Sequence, residues 1–105
     1  MSSIIFIEIQ SAITITYQKA FIDWNNKLYP ELPMEEEMLG EASTYLINGT
    51  FDDPEDLLEK YYKKIFKAEL ETITNDESKW PNPITPTLFD KWFYYEISDT
   101  VVTLE

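Results

Sequence analysis

The stretch that decides the fold is DPEDLLEKYYKKIFKAELETI, residues 53–73. Asp53 is a typical helix-capping residue, Pro54 suits the first helical position, and the acidic pair that follows complements the positive end of a helix dipole. Apolar positions then recur at three- and four-residue intervals: Leu57/Leu58, Tyr61/Tyr62, Ile65, Glu69/Leu70 and Ile73. This spacing predicts an amphipathic helix of about five turns.

The sequence after this helix predicts a stiff connector, a short helix and a strand. Three prolines between Trp80 and Pro86 exclude regular helix or central strand there. Thr87 can cap a short helix that carries Phe89 and Trp92. From 93 to 98, apolar and polar residues alternate in the manner of a strand.

The sequence before the helix predicts two more strands and a second helix. Residues 3–10 are rich in β-branched and aromatic side chains, and the isoleucines at 5, 7 and 9 alternate with other residues, which indicates a strand. Ser11 can cap a helix that runs to Leu28, and a hairpin through Ile15 is the competing interpretation. Residues 43–47 predict a short strand that ends at an Asn-Gly turn.

Together these elements predict a single α+β domain over residues 1–105. We expect a short, mostly antiparallel sheet of about three or four strands, covered by two main amphipathic helices and some short ones.

The composition excludes most catalytic chemistry. The 105 residues contain no His and no Cys, and all eight basic residues are Lys. The chain therefore cannot use imidazole or thiolate catalysis, a Cys/His metal site or bidentate arginine binding of phosphate. With two glycines, neither a Walker loop nor a dinucleotide fingerprint can be assembled. We expect no enzyme activity, no catalytic residues, no metal site and no cofactor.

The strongest positive signal is a net charge of −12, from 20 acidic and 8 basic residues. Such a surface favours electrostatic steering toward a basic protein. The sequence therefore predicts an inhibitor, an immunity protein or a nucleic-acid mimic. The predicted partner-binding residues are Glu35, Glu36, Glu37, Asp52 and Asp53, with Trp80 and Tyr94 as aromatic anchors.

The first alternative is a carboxylate-dependent hydrolase assisted by a divalent metal ion. Glu8 and Glu96 each stand among apolar strand residues and would act as a pair, or the cluster at Asp52 would bind the ion. Neighbouring acidic residues on a helix point in different directions, and helix capping explains the cluster at Asp52.

The second alternative is a homo-oligomeric structural protein. Half of the lysines form one ridge on the predicted helix, which we name the lysine ridge: Lys60, Lys63, Lys64 and Lys67. Such a ridge is usually a solvated face, but it can dock on an acidic edge of a second copy. We expect no nucleic acid, because the remaining surface repels phosphate. We also expect a cytoplasmic protein without membrane association, since no secretory signal and no long apolar run is present.

Overall fold

The computed structural model describes residues 10–35, 38–49, 51–102 and 104, and it confirms the α+β class. Within these ranges, a three-stranded antiparallel sheet packs against three α-helices, and a short 3-10 turn lies at Glu77–Lys79. The elements in chain order are β1 (Gln10–Tyr17), α1 (Lys19–Leu28), β2 (Ala42–Asn48), α2 (Pro54–Glu71), α3 (Pro86–Trp92) and β3 (Phe93–Ser98).

Helix α2 forms where the sequence predicts it. The Asp53 carboxylate accepts a hydrogen bond from the Glu55 backbone N–H at 2.9 Å, and Pro54 occupies the first turn. The inward face buries Leu57, Tyr62, Ile65, Phe66, Glu69 and Leu70. The capping signal and the apolar spacing lie within one segment, and for that reason they locate this helix without information from the rest of the chain.

The predicted helix from Ser11 to Leu28 is wrong over its first half. Residues 10–17 form β1, and the helix α1 begins only at Lys19. Ile13 and Tyr17 fit a helical spacing, but Ile13, Ile15 and Tyr17 also fit the period of a strand. Four consecutive β-branched residues, 13–16, favour the strand, and pairing on both sides fixes it. The chain makes no hairpin at Ile15. Of the strand predicted over residues 3–10, only Gln10 lies inside the described residues.

The sheet has the order β2-β1-β3, with β1 in the centre. Ile13 pairs with Tyr45 on one side and with Ile97 on the other, so these three side chains share the inner face. Thr14 pairs with Thr44 and with Glu96 on the outer face. Every helix that contributes to the core therefore lies on the side of Ile13.

The short helix α3 is capped by Thr85, where the sequence predicts Thr87. The Leu88 N–H donates to Thr85 Oγ1 at 3.1 Å, and Pro86 takes the first helical position. Thr85-Pro86 is thus the same cap-and-proline signal as Asp53-Pro54. Strand β3 follows this helix directly, and it covers the residues that alternation predicts.

An aromatic cluster fills the core between the sheet and the helices. Phe66 of α2 and Phe89 of α3 each lie with their ring centroid 5.1 Å from that of Phe93. Phe21 of α1 lies 5.5 Å from the same ring, and all four side chains are buried. Gln18 joins the two halves of the chain, because its side-chain amide donates to the carbonyl oxygens of Asp90 and Phe93 at 2.6 and 3.0 Å.

Candidate protein-binding surfaces

The charged side chains lie almost entirely on the surface. Of the sixteen acidic residues that the structure describes, fifteen are exposed and only Glu69 is buried. All eight lysines are exposed as well. Nearly all of the described negative charge is therefore accessible to a partner, and only the Glu69 carboxylate is buried in the core.

Among the predicted partner-binding carboxylates, Glu35, Asp52 and Asp53 are exposed. Glu36 and Glu37 lie outside the described residues. Asp53 also has a structural role as the cap of α2, and Asp52 stands just before it. Asp52, Asp53, Glu55, Asp56 and Glu59 are all exposed around the first turns of α2, and we name this set the acidic end of α2.

The two predicted aromatic anchors are placed differently. Tyr94 is 64 % exposed and lies on the outer face of the sheet. Trp80 is half-buried, and its indole N–H donates to the Thr74 carbonyl oxygen at 2.9 Å. Trp80 therefore presents only part of its ring to solvent, whereas Tyr94 presents most of its side chain.

The lysine ridge borders a groove on each side of α2. Lys63 and Lys67 line a groove of about 430 Å³, together with Trp80, Pro81 and Pro83 of the connector. Lys64 lines a second groove on the other side of the ridge. The ridge is thus not only a solvated stripe, because its members contribute to two separate concave surfaces.

The second groove, which we name the β2 groove, lies between strand β2 and helix α2 and has a volume of about 480 Å³. Tyr61, Ile65 and Ala68 line its helix side together with Lys64. Four consecutive residues, 45–48, line its strand side. The volume is within the range of about 300–1,000 Å³ that is usual for ligand sites.

A buried carboxylate, Glu69, joins α2 to the sheet. Its side chain is 3 % exposed, and Tyr17 Oη donates to Oε1 at 2.7 Å. Tyr45 Oη donates to Oε2 from the neighbouring strand. Burial raises the pKa of both tyrosines above 10, and the hydrogen bond to the Glu69 carboxylate raises the two values further. The three residues form a polar connection inside an otherwise apolar interface, and we name them the Tyr–Glu–Tyr cluster.

The sequence contains a signal for this cluster that charge counting does not use. Glu69 falls on the apolar face of the predicted helix, between Ile65 and Ile73 in helical spacing. A carboxylate on such a face requires donors, and buried tyrosine hydroxyls are suitable ones. The identity of those donors depends on the pairing of β1 with β2, which local patterns do not specify.

The residues of the hydrolase alternative do not converge within the described part of the chain. Glu96 is exposed on the outer face of the sheet, and Glu8 lies outside the described residues. Across residues 10–35, 38–49, 51–102 and 104, no group of three or more acidic side chains is placed to hold a metal ion. The carboxylates at Asp52 and Asp53 instead surround a helix terminus.

Comparisons of the chain with protein-family models, with curated proteins and with solved structures each returned no match. In the ranges that the structure describes, no helix is both long enough and apolar enough to cross a membrane.

Proposed function

We propose that this chain is a non-enzymatic binding protein that engages a basic protein partner through its acidic surface. The observation that carries the proposal is the exposure of fifteen of the sixteen described carboxylates in a chain of net charge −12. Such a distribution attracts a basic surface and accelerates encounter. An inhibitor, an immunity factor or a mimic of a nucleic-acid backbone would act in this way. We place it in the cytoplasm, a reducing compartment in which proteins rarely rely on disulfide bonds, and this chain contains no cysteine.

The acidic end of α2 is the best-defined part of this surface. At about 1.5 Å of rise per residue, Asp53 and Lys67 are about 20 Å apart along the helix. This separation exceeds the Debye length of about 8 Å at physiological ionic strength. A partner at the acidic end is therefore attracted by its carboxylates and is little affected by the far end of the lysine ridge.

The experiment that tests the proposal is capture of partners from the native host lysate at about 0.05 M and about 0.5 M salt. We expect a basic protein to be retained at low salt and largely released at high salt. Binding of the purified partner should then weaken linearly on logarithmic axes as salt increases. Failure to retain any basic protein at low salt contradicts the proposal.

Two double variants with equal charge change locate the contact. Asp52→Asn with Asp53→Asn removes two charges from the acidic end of α2, and asparagine retains the capping function. The control, Asp23→Asn with Asp99→Asn, removes two exposed charges, one from α1 and one from the residue that follows β3. We expect the first variant to weaken partner binding about tenfold and the control to weaken it less than threefold. Equal weakening by both would remove the assignment to this end of the helix.

A further inference from the structure

The β2 groove runs along the edge of a strand rather than over its face. Side chains alternate between the two faces of a sheet, yet the groove contacts all four consecutive residues of the segment 45–48. Only the edge of a strand borders consecutive residues in this way. Among the described strands, β2 is at the end of the order β2-β1-β3, so no described strand pairs with its outer edge.

This edge offers backbone hydrogen-bonding groups to a further strand. One side of β2 pairs with β1 over seven residue pairs, and within the described residues its other side pairs with no strand. Every second residue of an edge strand directs its N–H and C=O away from the sheet. Over the length of residues 45–48, about 13 Å, an added strand of about four residues would satisfy these groups.

The opposite wall supplies selectivity for side chains. Ile65 and Ala68 present apolar surface to the groove, and the Tyr61 ring lies beside them. Lys64 lines the same wall, and Lys60 Nζ lies 5.4 Å from the centroid of the Tyr61 ring. The groove therefore combines an apolar wall with the exposed ammonium group of Lys64, and the Lys60 ammonium group lies beside the Tyr61 ring that lines it.

We propose that the β2 groove binds an extended acidic peptide segment of a partner protein, which adds as a strand to the outer edge of β2. One apolar side chain of the segment packs between the strand and Ile65, and one Asp or Glu side chain meets Lys64. The main-chain hydrogen bonds supply the affinity, and the wall of α2 selects the side chains. Charge complementarity selects an acidic segment, since a basic one is drawn to the acidic end of α2. This proposal is independent of the proposed function and concerns a different surface.

A random twelve-residue peptide library displayed on phage and screened against the intact chain tests this proposal. We expect enriched peptides to alternate apolar and polar residues, to include Asp or Glu and to lack proline in the paired region. Backbone amide signals of residues 45–48 should shift on titration with a selected peptide. No enrichment, or shifts confined to other parts of the chain, overturns the proposal.

Two controls distinguish strand addition from nonspecific peptide binding. Methylation of those peptide amides that face β2 should weaken binding about tenfold or more, whereas methylation of the intervening amides should change it little. Lys64→Glu should weaken binding about three- to tenfold, while Lys63→Glu, on the other side of the ridge, should change it less than twofold. Equal effects within either pair contradict the assignment.

A second copy of the chain is the competing occupant of the groove. Self-association that depends on the concentration of the chain distinguishes it from a partner peptide. If the chain alone forms dimers that a selected peptide dissociates, the edge belongs to a self-association interface and the partner-peptide proposal is overturned. A negative peptide experiment does not contradict the proposed binding of a basic protein, because the two proposals concern different surfaces. Lys64→Glu, for example, does not alter the acidic end of α2.

Discussion

Removal of the two hydroxyl groups that bind Glu69 tests the Tyr–Glu–Tyr cluster directly. The perturbation is Tyr17→Phe with Tyr45→Phe, which deletes two oxygen atoms and keeps both rings. The Glu69 carboxylate, 3 % exposed, then loses its two phenolic donors. A net hydrogen bond to a charged group contributes about 1.5–3 kcal/mol, and a buried charge left without its partners costs about 3–5 kcal/mol.

We therefore expect the double variant to lose about 3–5 kcal/mol of unfolding free energy at pH 7 and each single variant to lose about 1.5–3 kcal/mol. The losses are not additive, because both donors serve one carboxylate. Urea unfolding followed by tryptophan fluorescence measures them, and the midpoint of the double variant should fall by about 1–3 M.

Tyr94→Phe is the matched control, since it removes the hydroxyl of a tyrosine that is 64 % exposed. Its unfolding free energy should stay within about 0.5 kcal/mol of the parent value. A double variant as stable as the control at pH 7 would refute the reasoning.

Three further predictions concern stability. Asp53→Ala should lower the unfolding free energy by about 1 kcal/mol and Asp53→Asn by a few tenths, measured by urea unfolding, since only asparagine replaces the cap of α2. The pKa values of Tyr17 and Tyr45 are raised in the folded state. Their contribution to the free energy of unfolding is therefore fully present below pH 10 and is lost as the pH increases above it. Thermal unfolding from pH 9 to pH 11 should show this decline, and the double phenylalanine variant should show a shallower one. Ser11 Oγ is buried without a hydrogen-bond partner among the described residues, so Ser11→Ala should leave the melting temperature unchanged or raise it.

The sequence predicts those parts of the fold whose signals are local. Asp53-Pro54 and the apolar spacing after it define α2 within one segment, and alternation defines β3. The segment 11–17 contains two periods at once, and the choice between them depends on β2 and β3, which are distant in sequence. The error at Ser11 is therefore a case in which tertiary pairing decides between two local preferences.

The candidate surfaces follow the same division. Exposure of the acidic residues and of the lysine ridge is predictable, because charged side chains remain at the surface unless they are paired. The β2 groove is not predictable from periodicity, since alternation does not reveal whether a strand is central or at an edge. Glu69 is intermediate: its place on the apolar face is visible in the sequence, and its tyrosine partners are not.

The central position of β1 has a consequence for how the chain folds. Strand β1 pairs with β3, Tyr17 opposite Phe93, so this sheet closes only when a segment about 75 residues further along the chain is present. Such non-local pairing slows folding relative to helical proteins of equal length. During synthesis, one edge of β1 stays unpaired and the core positions of Phe89 and Phe93 stay unfilled until residues 86–98 have been added. Truncation before α3 should therefore prevent cooperative folding altogether, although β1, α1, β2 and α2 would all be present.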